Sequence, residues 1–136
     1  MSRRSQPLHG PAVVMGALVT MAVAVPVAIL AQTLDQADSV DDDSMWLVFL
    51  FVVILGAMAA GGYVAATRRP DAPLSNSAVA ALLAYVVVQT VGVIRLLANG
   101  DDVTWIAIPF FSLLAAASGM VGGLVADHRA RTPRRR

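Results

Sequence analysis

Four long apolar runs divide the chain, and each is about as long as a membrane-spanning helix. They cover residues 11–31, 45–66, 77–98 and 103–126. A helix needs about 20 apolar residues to cross the hydrocarbon core of a bilayer. The pattern therefore predicts an all-α integral membrane protein with four transmembrane helices. The connections are too short for a second domain, so residues 1–136 are predicted to be a single polytopic membrane domain.

Composition agrees with this pattern. Hydrophobic residues make up 57% of the chain and charged residues 14%, against about 45–50% and about 25% in soluble domains. The first run resembles a secretory signal because Arg3 and Arg4 precede it. It is longer than the usual signal core of about 7–15 residues, and its one Ala-x-Ala, from Ala22 to Ala24, lies inside the run. We therefore expect the first run to be retained as a helix.

The charged residues are sorted along the chain. Seven of the nine Asp lie in the loop at residues 32–44 or at Asp101 and Asp102, on one predicted side. Nine of the ten Arg lie on the other: Arg3, Arg4, Arg68, Arg69, Arg129, Arg131, Arg134, Arg135 and Arg136. Because short cytoplasmic segments are enriched in Arg and Lys, both termini are predicted to be cytoplasmic. Residues 32–44 then form an acidic external loop and residues 127–136 a basic cytoplasmic tail.

An internal repeat covers the second and fourth runs. Each copy has an acidic pair, a tryptophan, a long apolar run and Gly-Gly-x-Val-Ala-x-x-Arg. The copies comprise Asp42, Asp43, Trp46 and residues 61–68, then Asp101, Asp102, Trp105 and residues 122–129. A duplication would give two tandem helical hairpins of the same orientation, related by an axis along the membrane normal. Chance similarity between Ala-, Val- and Gly-rich helices is the alternative.

Small residues recur at intervals of four in both repeated runs. The series are Ala57, Gly61, Ala65 and Ala115, Gly119, Gly123. Such spacing lets helix backbones approach closely in a membrane, where lipid removes the hydrophobic drive for association. The predicted helix-packing residues are Gly56, Gly61, Gly62, Gly119, Gly122 and Gly123. Whether they pack within one chain or between chains stays open.

Arg95 departs from the segregation of charge, since it lies inside the third run. One interpretation is a structural cation that snorkels outward and pairs with Asp101 and Asp102. The other is a functional cation, because Pro26 and Pro109 lie at a similar depth and would kink their helices. Together with Gln89, these residues would then form a polar vestibule open to the outside.

No pattern of catalytic, cofactor-binding or metal-binding residues is recognisable. The acidic loop lacks the spacing of a calcium loop, and His9 and His128 lack partners at metal-ligand spacing. We therefore predict a protein that is not an enzyme and needs no cofactor or metal. The basic tail is predicted to bind anionic lipid head groups rather than nucleic acid.

The span number, charge layout and Gly-Gly-x-Val-Ala-x-x-Arg motif resemble the uncharacterised small four-helix membrane proteins of GC-rich actinobacteria. That resemblance implies a bacterial cytoplasmic-membrane location and no activity. Small multidrug resistance transporters have similar length, but they carry a membrane-embedded Glu and this chain has none. The favoured prediction is a non-enzymatic accessory or interaction subunit, with a membrane protein partner or a homo-oligomer. The alternative is a small oligomeric transporter or channel with its vestibule near Arg95.

Overall fold

The computed structural model describes residues 8–36, 45–68 and 70–132, and its regular elements are four α-helices. They are α1 (Gly10–Gln36), α2 (Met45–Arg68), α3 (Pro73–Asn99) and α4 (Ala107–Arg131). Each contains a stretch long and apolar enough to cross a membrane: Gly10–Leu30, Val48–Arg68, Pro73–Asn99 and Ala107–Arg131. The lengths and compositions of these helices indicate a multi-pass helical membrane protein, as the apolar runs predict.

Helix α3 extends beyond the predicted run at its start. Pro73 occupies the first turn, where the missing N–H of proline costs no hydrogen bond. Asn76 and Ser77, which mark the edge of the run in the sequence, lie inside the helix and are buried. At the other end Gly100 takes the left-handed conformation, with φ of 81°. Glycine adopts this conformation without a steric penalty, and it ends the helix there.

Helices α2 and α3 are the centre of the bundle, since each contacts the other three helices. Helices α1 and α4 make no contact with each other in the described part of the chain. Phe51 packs against Phe111 near the starts of α2 and α4, and Arg129 lies over the Tyr63 ring towards their ends. These two helices therefore run in the same direction. The bundle has four unequal corners, with α1 and α4 farthest apart.

Small side chains fill the interior and large ones face outwards. Most of the buried apolar residues are alanines, among them Ala17, Ala65 and Ala80. Large apolar residues such as Ile29 and Leu113 are exposed, by 57% and 74%. Monomeric soluble proteins rarely expose so extensive an apolar surface. The distribution suits a bundle surrounded by lipid, in which helices associate through close packing.

Glycines bring the helix backbones into direct contact. A Cβ atom placed on Gly61 would collide with Gly16 O and Thr20 Oγ1 of α1. One placed on Gly62 would collide with Gly119 O of α4. Only a residue without a side chain fits at such crossings. The closest helix crossings therefore involve the second half of α2, which has α1 on one side and α4 on the other.

Candidate functional site

Two buried hydroxyl groups bind carbonyl oxygens of α2 from opposite sides. The Thr20 hydroxyl of α1 donates to Gly16 O at 3.1 Å and lies 3.4 Å from Ala57 O. The Ser77 hydroxyl of α3 lies 2.6 Å from Pro73 O and 2.7 Å from Gly62 O. Each hydroxyl thus satisfies itself on its own helix and also links that helix to α2. These links were missed in the sequence, where Thr20 and Ser77 look like mild polar interruptions.

A second polar group joins the beginnings of α1 and α3. The His9 backbone N–H donates to Asn76 Oδ1 at 3.1 Å, and Asn76 Nδ2 donates to Ala72 O at 2.9 Å. Asn76 is almost completely buried. The His9 Nδ1 atom is also buried and has no hydrogen-bond partner in the described part of the chain. The contact fixes the entry of α1 against α3 and supplies no recognisable reactive pair.

A largely apolar cavity of about 160 Å³ lies where all four helices meet, beyond the level of Thr20. Ala24 and Ala84 line it from α1 and α3, and the rings of Phe51 and Phe111 line it from α2 and α4. Gln89 also contributes to the wall. It is the one member of the predicted polar vestibule that lines this cavity, which we name the central cavity.

The other members of the predicted vestibule lie elsewhere. Arg95, Pro26 and Pro109 are all exposed on the outside of the bundle and do not line the central cavity. Asp101 and Asp102 are exposed just after the end of α3. The structure therefore does not gather Arg95, Gln89 and the two prolines around one cavity. A kinked, polar vestibule built from all of them is not present in the described residues.

Pro109 has a different structural role from the one the sequence suggests. The apolar run predicts a helix from residue 103, which would place Pro109 in its interior and leave Trp105 O without a donor. Helix α4 instead begins at Ala107, so Pro109 lies in the first turn. The Ile108 N–H donates to Trp105 O at 3.3 Å. Pro109 therefore starts a helix, whereas Pro26 lies within α1.

The six glycines predicted to pack helices do not share one environment. A Cβ atom on Gly61, Gly62, Gly119, Gly122 or Gly123 would meet a neighbouring helix closely, and all five glycines are buried. Gly56 is exposed, with nothing within 4 Å of an added Cβ atom. The five contacts are all within one chain.

Glycines that match in the repeat have different neighbours. Gly61 faces α1, whereas its counterpart Gly122 faces α2. Gly62 faces α4, whereas its counterpart Gly123 faces Ser77 of α3. An exact two-fold bundle would give matched residues equivalent neighbours. The likeness of the two copies in sequence is therefore not matched by equivalent packing.

An open groove runs along α2 between α1 and α4, because those two helices do not touch. Its floor includes Ala59, Ala60 and Tyr63 of α2, and its sides include Val19 of α1 and Val125 of α4. The groove measures about 390 Å³ and ends at Arg129. The Arg129 guanidinium carbon lies 5.7 Å from the centre of the Tyr63 ring. We name this feature the α1–α4 groove.

Among the described residues, no group of three His, Asp or Glu side chains is placed to hold a metal ion. The acidic loop from residue 37 to 44 and the end of the basic tail, residues 133–136, lie outside the described residues. Comparisons with protein-family models, curated proteins and solved structures give no significant match. The fold and composition define the class: a small helical protein with four helices able to span a membrane.

Proposed function

We propose that the protein is a non-enzymatic accessory subunit of the cytoplasmic membrane that binds another membrane protein along the α1–α4 groove. The observation that carries this proposal is the open side of the bundle, where α1 and α4 leave the surface of α2 uncovered. A transmembrane helix of a partner would fill that side and contact three helices at once.

The floor of the groove suits a helix rather than loosely ordered lipid chains. Ala60 is exposed and Ala59 is partly exposed, so a partner backbone can approach α2 without displacing large side chains. Small residues at this spacing favour helix association in membranes. The valines on either side, Val19 and Val125, would pack against the flanks of the incoming helix.

The interior supports a structural role. The hydroxyls of Thr20, Ser77 and Tyr85 all donate to backbone carbonyls. Groups held in this way stabilise helix contacts, and nothing beside them forms a recognisable nucleophile and base pair. This arrangement favours binding over catalysis.

The distribution of charge supports an orientation with both termini in the cytoplasm, and hence two hairpins that enter from the same side. Arg129 then lies at the cytoplasmic end of the groove. In this orientation the basic tail contacts anionic head groups, each Arg contributing about 1 kcal/mol near the surface.

Site-specific photo-crosslinking tests the proposed interface. A photoreactive residue in place of Ala60 is expected to form an adduct with one membrane protein, and the same residue in place of Val86 is not. Val86 is the matched control because it is exposed on α3, which does not line the groove. The variant Ala60→Trp is expected to lose co-purification of that same protein in mild detergent, while Val86→Trp keeps it.

Two outcomes would contradict the accessory role. Adducts of equal yield from the Ala60 and Val86 positions would show that the groove is not a specific interface. An adduct between two copies of this chain, with no other protein, would replace the accessory subunit by a homo-oligomer.

A further inference from the structure

We propose that the central cavity is a binding site for a small apolar molecule, about the size of one aromatic ring, that carries a single hydroxyl or carbonyl group. The cavity shares no residue with the α1–α4 groove. The inference therefore stands apart from the proposed partner contact.

The cavity results from alanines placed where the helices separate. Gly16 and Gly61 hold α1 and α2 together on one side of Thr20. On the other side, the residues that point inward are Ala24 and Ala84, which are 4% and 1% exposed. Their methyl groups are too short to fill the space that opens between the four helices. The sequence thus leaves a hole in a bundle that is otherwise closely packed.

The volume and the lining point to an apolar ligand. Ile54, Leu55 and Met58 form one wall, and Val88 and Leu114 lie opposite. A cavity of about 150 Å³ lined by Leu, Ile and Phe stays free of water and binds benzene. The central cavity, at about 160 Å³, has the same size and a similar surface. We therefore expect it to exclude water and to accept one ring.

One polar group in the wall is left for the ligand. The Thr20 hydroxyl donates to Gly16 O, and the Tyr85 hydroxyl donates to Ile108 O at 3.1 Å. The Gln89 amide makes no hydrogen bond within the described part of the chain, although it is partly buried. An amide offers both a donor and an acceptor, so it can bind either a carbonyl or a hydroxyl. This residue gives the cavity its preference for a ring with one oxygen.

The binding of 4-fluorophenol to the full chain in detergent, followed by fluorine NMR, tests the site. We expect a saturable shift in the wild type, which phenol competes away. The variant Ala84→Leu fills the cavity and is expected to abolish the shift, whereas Ala98→Leu, an exposed change on the same helix, retains it. Thermal unfolding of Ala84→Leu shows whether that variant is folded, and we expect its midpoint to equal or exceed that of the wild type.

The role of Gln89 is tested by comparing 4-fluorophenol with 4-fluorotoluene, which has no hydroxyl. The wild type is expected to prefer the phenol by about threefold to tenfold, as for one hydrogen bond. In Gln89→Leu the preference is expected to disappear while both rings still bind. An unchanged preference in this variant would remove Gln89 from the site.

The same ring chemistry can come from a free molecule or from the ring of a membrane lipid. Mass spectrometry of the intact protein in its detergent distinguishes these sources, since a lipid would remain bound through purification to the wild type and not to Ala84→Leu. The proposal is overturned if folded Ala84→Leu matches the wild type in both the titration and the mass spectrum.

Discussion

Two glycines of α2 show how far a residue's effect depends on the face it occupies. Gly61 lies against Gly16 and Thr20, with no room for a side chain, whereas Gly56 faces open space. Both are glycines in one apolar run, so the sequence assigns them the same packing role. Only the direction in which α1 crosses α2 distinguishes them. That direction depends on tertiary contacts, which the spacing of small residues does not determine.

Substitution of these glycines by alanine separates the two environments. Gly61→Ala forces a methyl group into Gly16 O and Thr20 Oγ1, and overpacking of this kind costs about 1–3 kcal/mol. Gly56→Ala adds no contact and replaces a poor helix former, so it is expected to be neutral or stabilising by up to about 1 kcal/mol. Thermal unfolding in detergent measures both variants. Equal midpoints for the two would contradict the glycine crossing.

The two prolines make the corresponding contrast between elements. Pro26 lies within α1, where it removes the hydrogen bond to Ala22 O. Pro109 lies in the first turn of α4, where the N–H of any residue lacks an intrahelical acceptor. Their depth in the apolar runs is similar, which is why the sequence predicts similar kinks. The difference arises because residues 101–106 precede α4 as turn and extended backbone rather than as its first turns.

We expect Pro26→Ala to slow amide hydrogen exchange in the middle of α1, because a new N–H at residue 26 can donate to Ala22 O. Pro109→Ala is expected to leave exchange in α4 unchanged. Hydrogen–deuterium exchange followed by mass spectrometry resolves both helices. Slower exchange in α4 of the second variant, with no change in α1 of the first, would reverse these assignments.

The helices themselves could be predicted from the sequence, because length and apolarity alone decide whether a helix can cross a bilayer. Their ends and their buried polar contacts were less accessible. Asn76 and Ser77 look like the polar edge of a run, yet they lie inside α3 because Ala72 O, Pro73 O and Gly62 O accept their hydrogen bonds. Gln89 is recognisable as an intramembrane amide. Its place in the central cavity depends on Ala24 and Ala84 of other turns and helices.

For the whole molecule, the arrangement of helices departs from the symmetry that the repeat suggests. A two-fold axis between the hairpins would make the α1–α4 and α2–α3 pairs equivalent. In the structure α2 contacts α3, whereas α1 and α4 make no contact in the described residues. The departure opens the α1–α4 groove, so the asymmetry provides the surface on which the proposed partner binds.

Orientation is a property of the whole chain, and the absence of cysteine makes it measurable. A single cysteine in Asp102→Cys is expected to react with a membrane-impermeant maleimide in intact cells. A cysteine in Thr132→Cys is expected to react only after the membrane is permeabilised. Both positions are exposed, so burial does not confuse the result. The opposite pattern would place the basic tail outside and contradict the orientation inferred from charge.

The missing contact between α1 and α4 also bears on the order in which the protein is assembled during synthesis. These are the helices farthest apart in the sequence, so no interaction has to wait for the first and last segments to meet. Helix α2 finds α1 already inserted, α3 finds both, and α4 finds α2 and α3. Contacts between segments close in sequence form with little loop-closure entropy. Each helix therefore has a docking surface when it enters the bilayer, and the bundle can grow one helix at a time.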